Sequence, residues 1–149
     1  MNLENIVKKA SEKLKNHNIR THELDAQIIL SDIMKIKREF LITNNKMHIP
    51  EKALKKYDVS IKRRIKREPV AYIIGKKEFW SENFLVNSST LIPRPETELL
   101  VENLIKIYKN KKISVLDVGT GSGCILVSLL SELPNSKGIG IDISKNAIK

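Results

Sequence analysis

The sequence predicts an α+β chain in two parts: a helical bundle comes first, then a β-hairpin linker and the start of a parallel β-α-β unit. Two observations predict this order. Apolar residues recur at helical spacing up to about residue 67, and after residue 95 short apolar runs flank a glycine-rich turn. We therefore expect a helical domain over 1–67, a hairpin linker over 68–94 and an α/β part over 95–149.

The composition is that of a folded protein of the cytoplasm. Hydrophobic residues make up 41% of the 149 positions, and no apolar run approaches the roughly 20 residues that cross a membrane. Cys124 is the only cysteine, so no internal disulfide can form, which fits a reducing compartment. The first residues lack the apolar core of a secretion signal, and the three histidines are scattered. We expect a cytoplasmic chain with no membrane segment and no metal site.

The formal net charge of +10 has two interpretations. A basic surface can bind nucleic acid, and the densest basic run is Ile61–Arg67. However, lysines are spread along the whole chain, the run shares its helix with an apolar stripe, and no aromatic residues are interleaved with it. We therefore favour a solvated face, and we do not expect direct binding of nucleic acid.

Three apolar stripes predict the helices of the first part. Thr21 is expected to cap the second of these helices, and Pro50 suits the first position of a later one. We expect the stripes to pack on one another as a small bundle. They consist of Ile6, Val7, Ala10 and Leu14, then Leu24, Ile28 and Ile29, and finally Leu54, Tyr57, Ile61 and Ile65.

The linker begins where Glu68–Pro69 ends the preceding helix, because the residue before proline avoids helical geometry. Ala71–Gly75 is expected to form a short turn or helix ending at glycine. Phe79–Trp80 and Phe84–Val86 predict two short strands around Ser81–Asn83, which together make a hairpin.

The last part predicts a short helix followed by a strand, a helix and a second strand. Prolines on both sides stiffen the chain at Arg94, and Pro95 opens a helix carrying Leu100, Leu104 and Ile107. Parallel strands joined through a helix form a β-α-β unit. Its elements are predicted at Ile113–Asp117, Cys124–Leu130 and Gly138–Asp142, with Ser144 capping the start of a further helix.

Gly119, Gly121 and Gly123 lie between the predicted strand and helix, where the chain must turn sharply and a ligand can approach the backbone. The helix behind the turn offers unpaired N–H groups and a positive dipole end. Asp142, at the end of the second strand, is placed to accept hydrogen bonds from both ribose hydroxyls. A tight turn without a ligand is the alternative, and the position of Asp142 makes a nucleotide-type site the better interpretation.

The glycine spacing favours S-adenosylmethionine over a dinucleotide. Dinucleotide sites use G-x-G-x-x-G, whereas here the spacing is G-x-G-x-G and Cys124 takes the place of the third fingerprint glycine. Asp117 stands directly before the turn. An acid there would repel a pyrophosphate but tolerates a positive sulfonium. We expect Cys124 to be a small packing residue rather than a nucleophile, since no histidine is near it in sequence.

Five segments, taken together, resemble the HemK/PrmC family of protein-glutamine methyltransferases. They are Arg67–Gly75, Glu78–Phe79, Phe84–Val86, Leu91–Glu98 and Val115–Gly123. Of these, the Ile-Pro-Arg-Pro-Glu-Thr-Glu string within Leu91–Glu98 is the most specific, and the glycine turn is shared by many methyltransferases.

The resemblance implies a Rossmann-like class I methyltransferase domain that begins in the α/β part. It implies transfer of a methyl group from S-adenosylmethionine to the side-chain amide nitrogen of the glutamine in the Gly-Gly-Gln motif of class I peptide chain release factors. The segment from Arg94 to Glu96 would border the pocket, and Asp142 would hold the ribose. The residues implied to line the donor are Gly119, Thr120, Gly121, Ser122 and Gly123.

One family motif is missing from the sequence. The family's Asn-Pro-Pro-Tyr motif, which orients the substrate amide, lies on a later strand, and residues 1–149 do not contain it. We therefore name no catalytic residue and expect this chain to be inactive alone. Its α/β part is expected to be marginally stable by itself or to be completed by another chain. Two alternatives remain open: a non-catalytic module that binds release factors, and an RNA-associated methyltransferase relative.

Overall fold

The computed structural model describes residues 3–44 and 47–148 and confirms an α+β chain. It divides into two compact units, one extending to Ile74 and the other starting at Gly75. The hairpin belongs to the second unit and the short helix before Gly75 belongs to the first. The three-segment division expected from the sequence stays a prediction. No helix in the described residues is both long and apolar enough to cross a bilayer.

Helices form the first unit, and their apolar stripes face a shared core. The stripe of the first helix is largely as predicted, because Ile6, Ala10 and Leu14 are buried. The core continues through Ile29 and Tyr57, whose hydroxyl donates to the Ala26 carbonyl at 3.0 Å. The helices are α1 (Leu3–Asn16), α2 (His22–Met34), α3 (Arg38–Thr43), α4 (Glu51–Ile65) and α5 (Val70–Ile74).

Two predicted helix starts differ in detail from the structure. Thr21 does precede α2, but its hydroxyl donates to Asp25 Oδ2 at 2.8 Å and makes no side-chain cap. Asp25 is buried, so its carboxylate competes successfully for the hydroxyl. Pro50 is the N-cap residue of α4 rather than its first helical residue, with an extended ψ of 143°.

Arginines of the basic run make hydrogen bonds inside the helical unit. Arg64 Nε donates to the buried Asp25 carboxylate at 2.7 Å. Arg63 forms an ion pair with Glu68 through two nitrogens, which holds the pKa of Glu68 below its ordinary value. Arg67 donates to the carbonyls of His17 and Asn18, which follow α1. These guanidinium groups thus tie α4 and its C-terminal end to other parts of the unit.

The second unit opens with an antiparallel hairpin. Strand β1 (Lys76–Phe79) pairs with β2 (Glu82–Leu85), and Phe79 lies opposite Glu82. The prediction that Trp80 lies in a strand is wrong. Trp80 and Ser81 form the turn with φ of +52° and +61°, since two-residue hairpins need positive φ at both central positions to match the strand twist.

The helix after the two prolines has a different buried face from the one predicted. Pro95–Thr97 is a 3-10 turn, and α6 (Glu98–Tyr108) follows it. Leu100 and Ile107 are exposed, so the predicted stripe is wrong. Val101 is fully buried, because it packs into a cluster with Phe79, Phe84 and Cys124.

The end of the chain forms a parallel β-α-β arrangement. Strand β3 (Ser114–Val118) pairs in parallel with β4 (Lys137–Ile141), and α7 (Cys124–Glu132) connects them in the chain and contacts both. The other sheet face, formed by Leu116, Val118, Ile139 and Ile141, is exposed to solvent. The prediction of a helix capped by Ser144 is wrong for the described residues. Up to residue 148 the chain forms only a turn, with the Ala147 N–H donating to the Ser144 carbonyl.

Candidate functional site

The glycine turn lies between β3 and α7, at the carboxyl ends of the two parallel strands. Gly119, Gly121 and Gly123 have φ of +79°, +56° and +75°, a region where residues with a Cβ are strained. A Cβ on Gly119 would meet no atom within 4 Å, so the backbone there faces open space. The turn is therefore a cradle that a ligand can approach closely, which is the property expected from the glycine spacing.

Backbone hydrogen bonds anchor the turn to the end of β4. The N–H groups of Gly119 and Thr120 both donate to the Ile141 carbonyl, at 2.8 and 3.0 Å. Within the turn, the Gly123 N–H donates to the Thr120 carbonyl at 2.8 Å. Thr120 Oγ1 also donates to Asp117 Oδ2 at 2.8 Å, so the acid before the turn is fixed by a side chain of the turn.

Asp142 contacts the glycine turn directly. It follows β4, and its Oδ2 accepts from the Gly121 N–H at 2.9 Å while its Oδ1 accepts from the Ser144 N–H at 2.8 Å. Donation by Ser144, and then by Gly121, holds the pKa of Asp142 below its ordinary value, so the carboxylate is charged at neutral pH. Each carboxylate oxygen has two lone pairs. The Asp142 carboxylate therefore keeps lone pairs that can accept hydrogen bonds from ribose hydroxyls.

An open cavity of about 430 Å³ lies beside Asp142 and Gly119. Its other lining residues are Val118, Ile141 and Ile143, and the Ile143 side chain is fully exposed at 102%. The volume is within the roughly 300–1,000 Å³ of small-molecule sites. Sequence reasoning missed Ile143 and Val118. The sequence contains a signal for both residues, because an apolar residue directly follows each of the two acids, Asp117 and Asp142.

The amino end of α7 points its unpaired backbone toward the turn. Gly123 is its N-cap in the left-handed region and supplies no side-chain cap. The free N–H groups and the dipole make this end positive. Cys124 follows and is buried; burial raises the pKa of its thiol, more than the adjacent Ser122 hydroxyl lowers it. A neutral buried thiol is a packing group, which supports the interpretation made from the sequence.

Other predicted features have no described contact with the turn. Arg94 and Glu96 are exposed, and no hydrogen bond described for these residues joins them to the turn or to the cavity beside Asp142. Their place beside the pocket stays a prediction. Within residues 3–44 and 47–148, no group of three or more His, Cys, Asp or Glu side chains could hold a metal ion.

Two protein families match separate stretches of the chain. The family described as the PrmC N-terminal domain matches residues 5–75, and one described as a methyltransferase domain matches residues 109–149. The first match covers the helical unit, and the second covers the β-α-β arrangement with the glycine turn and Asp142.

Similar proteins named release factor glutamine methyltransferase occur in several bacteria. One from Buchnera aphidicola subsp. Baizongia pistaciae is 44% identical over 149 residues, which covers 99% of this chain and 53% of that protein. One from Caulobacter vibrioides is 36% identical over 140 residues, covering 93% of this chain and 48% of that protein. A protein of Rickettsia felis named bifunctional methyltransferase is 35% identical over 175 residues, covering 99% of this chain and 33% of that protein. The chain thus spans about half the length of the release factor glutamine methyltransferases it matches.

Proposed function

Because the chain belongs to the HemK/PrmC family of methyltransferases, we propose that it binds S-adenosylmethionine as part of a protein-glutamine methyltransferase. The reaction we propose for the whole protein is methylation of the glutamine side-chain amide in the Gly-Gly-Gln motif of class I release factors, in the cytoplasm. The direct contact between Asp142 and the glycine turn is the observation that carries the proposal, because it joins the two predicted halves of the donor site.

The residues present fit the proposed donor. The Asp142 carboxylate would accept hydrogen bonds from the ribose hydroxyls, and the apolar wall at Val118 and Ile143 suits a flat base. The open backbone at Gly119 allows close approach of the donor. S-adenosylmethionine, when bound, supplies an activated methyl group. The remaining residues that we propose for the donor are Thr120, Gly121, Ser122 and Gly123.

The chemistry of the proposed substrate explains what more the reaction needs. The nitrogen of an amide is a poor nucleophile, because resonance delocalises its lone pair into the carbonyl. Groups that accept its protons and orient it toward the methyl group are therefore required, and positioning of this kind can lower a barrier by about 7–11 kcal/mol. The sequence contains no Asn-Pro-Pro-Tyr motif. We propose that the 149-residue chain does not transfer the methyl group by itself.

The helical unit is proposed to recognise the substrate protein. Its match to the PrmC N-terminal domain over residues 5–75 favours this role, and the arginines of the basic run are engaged in internal hydrogen bonds rather than presented as an RNA surface. The second candidate function is a non-catalytic module, which would bind release factors through the same helical unit. Binding of a class I release factor without methylation by the complete protein would favour that second candidate.

Titration calorimetry tests the donor proposal. We expect S-adenosylmethionine to bind and NAD to give no heat of binding. Asp142→Ala should weaken the affinity by about tenfold to a hundredfold, the value of losing hydrogen bonds to a charged group. Asp58→Ala, which removes an exposed carboxylate in the helical unit, is the charge-matched control and should leave the affinity unchanged. Equal affinity in Asp142→Ala and the unmodified chain would contradict the site.

A further inference from the structure

We propose that Gly140 is a positioning residue of the donor site, although it lies in the middle of β4 and outside the glycine turn. Its missing side chain leaves the space in which Thr120 sits, and Thr120 holds both the turn and Asp117 in place. The inference rests on the proposed function, because that function makes the glycine turn the donor site.

The register of the two strands places these groups on one sheet face. Asp117 of β3 lies directly opposite Gly140 of β4, so the Asp117 side chain and a Cβ at position 140 would point to the same side. A Cβ built on Gly140 would lie 2.8 Å from Thr120 Oγ1 and 3.0 Å from both Thr120 Cβ and Cγ2. The separation from Oγ1 is shorter than real Cβ contacts, and those from Cβ and Cγ2 are at the lower limit of such contacts, so a methyl group at position 140 would displace Thr120.

Rotation of the Thr120 side chain would relieve the contact at Oγ1 only by breaking its hydrogen bond to Asp117, and it would not move Cβ. Cβ is fixed to the backbone and would lie 3.0 Å from the added methyl group, so it must shift by a few tenths of an ångström. Its N–H donates to the Ile141 carbonyl at 3.0 Å, its carbonyl accepts from the Gly123 N–H at 2.8 Å, and its hydroxyl donates to Asp117. Relief of the clash therefore moves the backbone of the turn and changes the direction of the Asp117 carboxylate.

Gly138 provides a matched control on the same strand and the same face. A Cβ there would lie 2.4 Å from Leu126 Cδ1 and 3.0 Å from Leu130 Cδ1, both of them ends of flexible side chains of α7. Neither Gly138 nor Gly140 has a φ in the left-handed region, so alanine is compatible with the backbone at both positions. Both substitutions thus add a methyl group. At position 138 it meets side chains of α7, and at position 140 it meets the glycine turn.

The experiment compares Gly140→Ala with Gly138→Ala by calorimetry with S-adenosylmethionine and by thermal unfolding. We expect Gly140→Ala to weaken donor affinity by about tenfold or more, since overpacking of this size displaces its neighbours. Gly138→Ala should lower the melting temperature but change the affinity by less than about threefold.

Amide hydrogen exchange at Gly119, Thr120 and Gly121 without any donor separates this inference from the proposed function. Faster exchange in Gly140→Ala than in Gly138→Ala supports the positioning role, and native exchange in a folded Gly140→Ala overturns it. If the unmodified chain fails to bind S-adenosylmethionine, the proposed function is contradicted and the exchange data still decide the role of Gly140. Thr120→Val, which keeps the shape and loses the hydroxyl donor, covers the case in which Gly140→Ala does not fold: unchanged turn amides in that variant would also overturn the inference.

Discussion

Asp142 has two roles: it holds the glycine turn in place, and it is proposed to bind the ribose of the donor. Its carboxylate accepts the Gly121 and Ser144 N–H groups and so links the turn to the end of β4 before any donor is bound. Loss of the side chain would therefore loosen the turn and remove the proposed ribose contact together. Asp142→Asn separates the tasks in part, because an amide keeps one acceptor oxygen but turns its NH₂ group toward a backbone donor.

The pH dependence of the Gly121 amide follows from the lowered pKa of Asp142. Because the pKa is lower in the folded state than in the unfolded chain, the stabilisation by the charged carboxylate is complete above the unfolded value. It is lost as the pH falls through the folded value. We expect the Gly121 amide shift, followed by NMR, to stay constant down to the ordinary aspartate pKa of about 3.9 and to change only below it. The change should vanish in Asp142→Asn; a transition near neutral pH would contradict the assignment.

Asp25 and Arg64 form a buried ion pair that holds α4 against α2. Their side chains are 8% and 17% exposed, and the Thr21 hydroxyl completes the hydrogen bonding of Asp25. Removal of one partner leaves a buried charge, so Asp25→Ala should lower the free energy of unfolding by about 3 kcal/mol or more. Asp58→Ala, which breaks the exposed pairs with Lys62 and Lys13, should cost less than about 1 kcal/mol. Urea denaturation of both variants measures the difference, and equal losses would refute the distinction.

The face of the parallel sheet that lies opposite α7 is exposed, so substitutions there should have little effect on stability. Leu116, Val118 and Ile139 are 62%, 72% and 66% exposed, whereas the side chains of α7 cover the opposite face. Ile139→Thr should change the free energy of unfolding by less than about 0.5 kcal/mol and should reduce binding of a hydrophobic dye. Leu129→Ala, at a buried position of α7, should cost about 2–5 kcal/mol in the same denaturation experiment. A loss of similar size in Ile139→Thr would show that another group covers this face.

The elements also show how far the sequence predicts this structure. In α1 the apolar residues follow a single helical stripe, so Ile6, Ala10 and Leu14 could be placed in the core. In α6 apolar residues occupy several faces, and the periodicity cannot select Val101 over Leu100; the neighbouring hairpin cluster decides. The same limit applies to Trp80, because hydrophobicity favours a strand whereas the hairpin requires a turn there.

The contact between the glycine turn and Asp142 could be anticipated because its signals are local, whereas the binding of a donor by these residues stays a prediction. Glycines at fixed spacing and an acid at a strand end constrain the backbone directly, and the structure places Gly121 against Asp142. The role of Gly140 could not be inferred from the sequence, because it depends on which side chain packs over this residue. That information resides in the register of β3 and β4 and in the course of the turn.

In the whole molecule, the two units differ in the hydrophobic core that stabilises each of them. The core of the helical unit extends through α1, α2 and α4. The described cluster of the second unit centres on Phe79, Val101 and Cys124, and one face of the parallel sheet in that unit is exposed. We therefore expect the second unit to open at lower denaturant concentration. Trp80, the only tryptophan, and Cys124, the only cysteine, both report on that unit.

Fluorescence of Trp80 and alkylation of Cys124 should change together, before the amides of α1 and α2 lose protection from exchange. The buried thiol should react slowly in the native chain, since burial raises its pKa and restricts access. A single transition shared by Trp80, Cys124 and the amides of α1 would contradict the expected difference between the units.

The glycine turn and Asp142 are proposed to form one donor site. A titration of S-adenosylmethionine into the ¹⁵N-labelled chain, followed amide by amide, tests it most directly. We expect shifts that saturate together at Gly119, Gly121 and Asp142, with the amides of α1 unchanged and with no saturable shifts when NAD is used instead. Shifts absent from the turn, or confined to the helical unit, would contradict it.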